Sequence, residues 1–204
     1  RGAPILIGLV DDFRVDGRWR TAGLHGVIVP HEHLVSAHAS AGSETLVEIA
    51  GPPVATTLCS EKTLTEHKQE LNLSETPPLL LVAAEGMHAD TIRSLAFQLT
   101  LLEEAAVIAF HTGDDGERSA LVREAAASYG LQASLLGPVV NIADYYGAAD
   151  LVLADACDLA LFELLQTARP VVLVGNERGT ARSAFLSDLA GVVRVSDVVQ
   201  IGAE

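Results

Sequence analysis

The stretch that decides the fold runs from Leu79 to Gly113 and reads LLLVAAEGMHADTIRSLAFQLTLLEEAAVIAFHTG. Two aliphatic runs, Leu79–Ala84 and Ala106–Phe110, flank a helix-length amphipathic segment, Ala89–Glu103. The runs are continuously apolar rather than alternating, which is the pattern of strands buried on both faces. Strand, helix and strand in this order imply two parallel strands joined by a right-handed crossover.

The same alternation extends in both directions. Further strands are expected at Pro4–Val10, Gly26–Val29, Thr45–Ile49, Ala133–Leu135, Leu151–Ala154, Pro170–Val174 and Val192–Val195. Helices are expected at His31–Ala41, Thr63–Leu71, Glu117–Tyr129, Ile142–Ala148, Leu159–Thr167 and Thr180–Leu189. The fold class is therefore α/β, a parallel sheet with helices on both faces. Gly51-Pro52-Pro53 interrupts the series. Proline fixes φ and lacks a backbone donor, so this is a linker and not a central strand. Residues 1–55 hold three strands, part of a second α/β domain, and 56–204 hold the six-stranded domain.

Composition narrows the function. Acids outnumber bases 27 to 13, for a net charge of −14. Nucleic acid and anionic lipid headgroups both require clustered Lys or Arg, so nucleic-acid binding is excluded. Cys59 and Cys157 stand alone, as expected of a reduced, cytoplasmic compartment. No apolar stretch is long enough to span a membrane. The chain opens on Arg1 rather than Met, so a fragment or processed piece is expected, and the lack of a signal peptide carries no weight.

Three motifs in order carry a resemblance. His111-Thr112-Gly113 ends an apolar strand. Asn141-Ile142-Ala143-Asp144-Tyr145-Tyr146-Gly147-Ala148-Ala149-Asp150-Leu151-Val152 follows, and then Ala156–Glu163 with Ala168-Arg169-Pro170-Val171-Val172-Leu173. They are similar to the "H-x-T-G", "D-M-x-x-x-Y-x-x-A-D-L-V" and "A-G-x-x-T-x-x-E-x-x-x-x-G-x-P-x-I-L" motifs of the GT-B glycosyltransferase that converts lipid I to lipid II. Pro4–Pro30 and Gly51–Val54 resemble the end of the acceptor domain and the linker of diacylglycerol galactosyltransferases.

The resemblance implies a Rossmann-like, nucleotide-sugar-binding C-terminal domain of GT-B type and transfer of a sugar from a UDP-sugar to a lipid or glycan acceptor of the cell envelope. The protein would be cytoplasmic or peripheral to the membrane, with no metal and no cofactor. A homo-oligomer or a partner subunit is compatible with it. Glu163 falls on the ribose-binding glutamate. Gly86, His111, Thr112, Gly113, Val139 and Ile142 would line the nucleotide pocket, and Asp158, Thr180 and Ser183 occupy donor-binding positions. Asp11 and Asp12 are the candidate acceptor-side bases.

The residues also depart from the family. The glycine-rich loop is replaced by Ala83-Ala84-Glu85-Gly86-Met87-His88, and Asp155, Cys157 and Asp158 stand where a basic residue, a glycine and a small residue are expected. Carboxylates beside a diphosphate repel it, whereas Asp at a helix N-cap stabilises the helix by about 1 kcal/mol. A degenerate donor site on a non-catalytic binding or assembly module is the rival reading, and a nucleotide-sugar epimerase of GT-B fold is the third. His31-Glu32-His33 with His38 could suggest a metal cluster, but H-x-H on a helix sets its side chains apart and no Cys lies nearby. No G-x-S-x-G elbow or phosphate-binding G-x-x-x-x-G-K-[ST] loop occurs.

Overall fold

The computed structural model describes residues 4–11, 13, 24–36, 45–54, 60–156, 161–175, 185–186 and 189–195. The chain divides into two compact units. Unit 1 comprises Arg1–Val54 and Glu177–Leu189, and unit 2 comprises Ala55–Asn176 and Ala190–Glu204.

Unit 1 carries a three-stranded parallel sheet of β1 (Ile7–Leu9), β2 (Gly26–Val29) and β3 (Leu46–Ile49), in the order β1-β2-β3. Val27 and Val29 on the central strand are buried with Val10 and Leu34. A single turn of 3-10 helix, Glu32–Leu34, follows β2. The expected long strand Pro4–Val10 contracts to Ile7–Leu9, and Ile5, Leu6, Ile7 and Leu9 are exposed along this edge of the sheet.

Unit 2 carries a six-stranded sheet of β4 (Leu79–Ala83), β5 (Val107–His111), β6 (Ser134–Leu136), β7 (Leu151–Asp155), β8 (Val171–Val174) and β9 (Val192–Val195). All pairings are parallel, in the order β6-β5-β4-β7-β8-β9. Counted within the unit this is 3-2-1-4-5-6, the doubly wound arrangement. The winding direction reverses between β4 and β7, and in such sheets the crevice outside the carboxyl ends at that point receives the ligand.

The helices are α1 (Leu64–Glu70), α2 (Ala89–Leu99), α3 (Gly116–Tyr129), α4 (Ile142–Ala148) and α5 (Leu161–Leu165). On α2, Ile92, Leu95, Ala96 and Leu99 are buried at spacings of three and four, so one stripe faces the sheet. They join Val82, Phe110 and Leu153 from the central strands in one core. The helix stops at Leu99, short of the expected Glu103, because the Thr100 hydroxyl and amide both donate to the Phe97 carbonyl and tighten the last turn. Asp155, read from sequence as a helix cap, is instead the last residue of β7, paired in the ladder with Val174.

Helix α1 docks on α4 through polar groups. The buried His67 ring has its Nδ1 3.1 Å from Asp144 Oδ1. Lys68 donates to Asp150 Oδ2 at 2.6 Å, and the same oxygen accepts the Leu79 amide at 2.7 Å. Gly147 permits this approach, since a Cβ there would overlap the His67 ring. Gly147→Ala is therefore expected to cost about 1–3 kcal/mol through overpacking, read as a lower urea midpoint with an unchanged m value.

Candidate functional site

The loops leaving the carboxyl ends of β4, β5 and β6 meet at Gly113. After β4, the Met87 amide donates to the Ala84 carbonyl at 3.2 Å, closing a turn over Glu85 and Gly86. Arg118 on α3 fixes this turn from outside. Its guanidinium donates to the carbonyls of Ala84 and Met87 and pairs with Asp115, whose carboxylate also caps α3. The Glu85 side chain lies directly on Gly113. A Cβ at residue 113 would overlap the Glu85 carboxylate unless that side chain swung aside, and the backbone there has φ +56°, a conformation that favours glycine.

His111 and Thr112 lie beneath this point and are buried. His111 Nδ1 is 3.1 Å from the Tyr146 hydroxyl and 3.7 Å from Glu85 Oε2. Burial pushes the imidazole below its usual range, and the nearby Glu85 offsets this only in part. The ring is thus neutral at pH 7, and its approach to Glu85 is not an ion pair. The Thr112 hydroxyl is 2.8 Å from Ser119 Oγ, and its amide donates to Leu136 O at 3.0 Å, tying β5 to β6. Gly137, just beyond β6, approaches the Gly113 carbonyl, so the loop bearing Val139 and Val140 borders the same point.

Of the residues singled out in the sequence, Gly86, His111, Thr112 and Gly113 thus come together, with Val139 and Ile142 on the adjoining segment. Glu163 lies on α5, half-buried, between Phe162 and Leu164, which are fully packed. Asp11 is exposed at the end of β1. Asp12, His38, Asp158, Thr180 and Ser183 lie outside the described residues. Asp155 is buried at the end of β7, its carboxylate close to Gly175. Sequence reasoning missed Arg118 and Tyr146 as parts of the site. Their partners lie 31 to 35 residues away, which no local pattern reports.

The expectation for His31-Glu32-His33 also changes. Their ligating atoms lie within 4.8 Å of one another. Among the described residues, no helix is long and apolar enough to cross a membrane.

No protein-family model matches the chain, and no curated protein matches it significantly. Solved structures do share its fold. HepE from Anabaena, in complex with UDP and glucose, superposes over 98% of this chain and 60% of its own, with TM-score 0.63 and 15% identity. WaaG, a glycosyltransferase involved in lipopolysaccharide biosynthesis, superposes over 97% of this chain and 64% of its own, with TM-score 0.61 and 13% identity. For the sucrose-phosphate synthase of Thermosynechococcus elongatus the coverages are 88% and 48%, with TM-score 0.64 and 15% identity. The chain thus spans about 60% of the length of the first of these. Its fold is the α/β fold of the GT-B glycosyltransferases.

Proposed function

We propose that the chain is a glycosyltransferase-type binding protein whose unit 2 receives the nucleoside of a UDP-sugar, with a degenerate diphosphate subsite. The observation that carries this reading is the Glu85 carboxylate lying on Gly113, at the carboxyl ends of a doubly wound sheet. In such sheets an anionic phosphate sits against backbone amides near a glycine turn. Here an internal anion stands at the glycine. The structural neighbour HepE binds UDP and UDP-glucose, which supports a nucleotide sugar as the ligand class. On this reading Glu163 holds the ribose hydroxyls, and the loops at Gly86, Gly113 and Val139–Ile142 line the nucleoside. Unit 1 is read as the end of an acceptor-side domain. A lipid or glycan acceptor of the cell envelope follows from the sequence motifs, and WaaG offers a structural parallel.

Calorimetric titration with uridine and with UDP tests the proposal. Uridine is expected to bind no worse than UDP, both weakly, and Glu163→Ala is expected to abolish uridine binding with only a small fall in the melting temperature. Micromolar UDP binding that Glu163→Ala abolishes would reject the degenerate subsite and favour an active transferase. Uridine binding indifferent to Glu163→Ala would remove the ribose role.

A further inference from the structure

We infer that His31, Glu32 and His33 of unit 1 form a binding site for a borderline divalent transition metal such as Zn2+ or Ni2+. The geometry arises from a change of backbone conformation at one residue. His31 is the N-cap of the 3-10 turn and is extended, with φ −156° and ψ 152°. Its side chain therefore does not follow the helical progression of Glu32–Leu34, and the ring folds back over the turn. As a result the His31 and His33 rings lie 4.8 Å apart, centroid to centroid, at an interplanar angle of 35°. One ligating atom from each imidazole and one carboxylate oxygen from Glu32 fall within 4.8 Å of one another.

Two imidazoles and a carboxylate suit zinc or nickel, while Mg2+ and Ca2+ favour all-oxygen sets. Three protein ligands leave a fourth tetrahedral position for water or a ligand. His31 Nδ1 accepts the His33 amide at 3.3 Å, a long hydrogen bond that a metal–nitrogen bond can replace. Phe13 and Phe185 pack around the His31 ring at 6.1 and 5.3 Å, an apolar wall that limits its orientations. Glu32 and His33 are exposed and so free to close the remaining distance.

A second cluster in the molecule shows the contrast. His67, Glu70 and Asp144 also bring ligating atoms within 4.8 Å. There the Lys62 ammonium bridges Glu70 at 2.5 Å and Asp144 at 3.2 Å, so a cation already neutralises the acids. Among the described residues no lysine or arginine pairs with Glu32.

The test is a calorimetric titration of the untagged 204-residue chain with ZnCl2 in a non-chelating buffer. One equivalent is expected to bind, with a higher melting temperature in its presence, and MgCl2 is expected to give neither effect. The double variant His31→Ala/His33→Ala should lose that equivalent and any zinc-dependent rise in melting temperature while keeping its circular dichroism; its metal-free melting temperature should fall somewhat, because His31 also caps the turn and packs on Phe13 and Phe185. Glu32→Gln should weaken binding by at least the ten- to a hundredfold, roughly, that loss of an outer-shell partner brings. Glu70→Gln should leave the stoichiometry unchanged. Absence of zinc binding by the wild-type chain, or an equivalent retained by the double variant, overturns the assignment. Loss of the equivalent in Glu70→Gln alone would move the site to the His67 cluster and equally refute it.

Discussion

Glutamine at position 85 is expected to raise the affinity for UDP about tenfold and to leave that for uridine unchanged. The Glu85 carboxylate lies on Gly113, where a diphosphate would approach the backbone. Two like charges 4 Å apart repel by roughly 4 kcal/mol at an effective dielectric near 20. Glu85 is nearly half exposed, with 46% of its side-chain surface accessible, so water and salt reduce this severalfold. A residual near 1.4 kcal/mol corresponds to about a tenfold change in binding. Glutamine keeps the shape and removes only the charge, whereas Glu85→Ala also opens the space and should gain more. Raising the salt concentration should narrow the difference between wild type and Glu85→Gln, because the screening length at 0.15 M is only ~8 Å. Equal UDP affinity in all three proteins, measured by calorimetry at low salt, would show that the carboxylate does not oppose the phosphates.

The largest stability effect is expected at Asp150. Lys68 has only 3% of its side chain exposed and is held by Asp150 Oδ2 and the Glu75 carbonyl. Removing one member of a buried pair leaves the other charge uncompensated, at a cost of about 3–5 kcal/mol. Asp150 is 28% exposed, which puts the expected cost of Asp150→Ala at the lower end, about 3 kcal/mol. For a chain of this size that is roughly a 6–12 °C fall in melting temperature. Asp150→Asn retains an acceptor for the Leu79 amide and should cost less. Adding Lys68→Met to Asp150→Ala should recover part of the loss, since the stranded charge is then gone. A fall of under about 1 °C for Asp150→Ala would show that Lys68 finds water or another acceptor at no cost.

The strands were legible because burial on both faces writes itself into the sequence as unbroken aliphatic runs. Gly26–Val29 and Val192–Val195 appear as expected, and β4 differs from expectation by one residue. Helix ends were less legible. The Thr100 hydroxyl that closes α2 acts through a local bond that a polar residue equally forms or leaves to water. The site was legible as a set of loops but not as a set of contacts. Glu85 was recognisable as an acid in the loop after β4, yet its seat on Gly113 depends on a turn that Arg118 fixes through carbonyls 31 and 34 positions away from it. The closeness of the His31 and His33 side chains was not legible for a similar reason. Spacing of i and i+2 was read as helical at both residues, while the backbone at His31 is extended.

The division of the chain also governs the order in which the protein can assemble during synthesis. Unit 1 takes in Glu177–Leu189, and the Phe13 and Phe185 rings pack 5.3 Å apart across that gap in sequence. The pairing of β4 with β7 likewise waits for residue 151, and Lys68 meets its counterion 82 residues later. A chain emerging from the ribosome at about 5–20 residues per second would therefore hold β4 exposed on one edge for several seconds after β5 is available. Unit 1, begun first, is thus completed only at residue 189, shortly before β9 completes unit 2, and truncation between the two units at residue 54 would deprive it of an aromatic partner rather than release a finished domain.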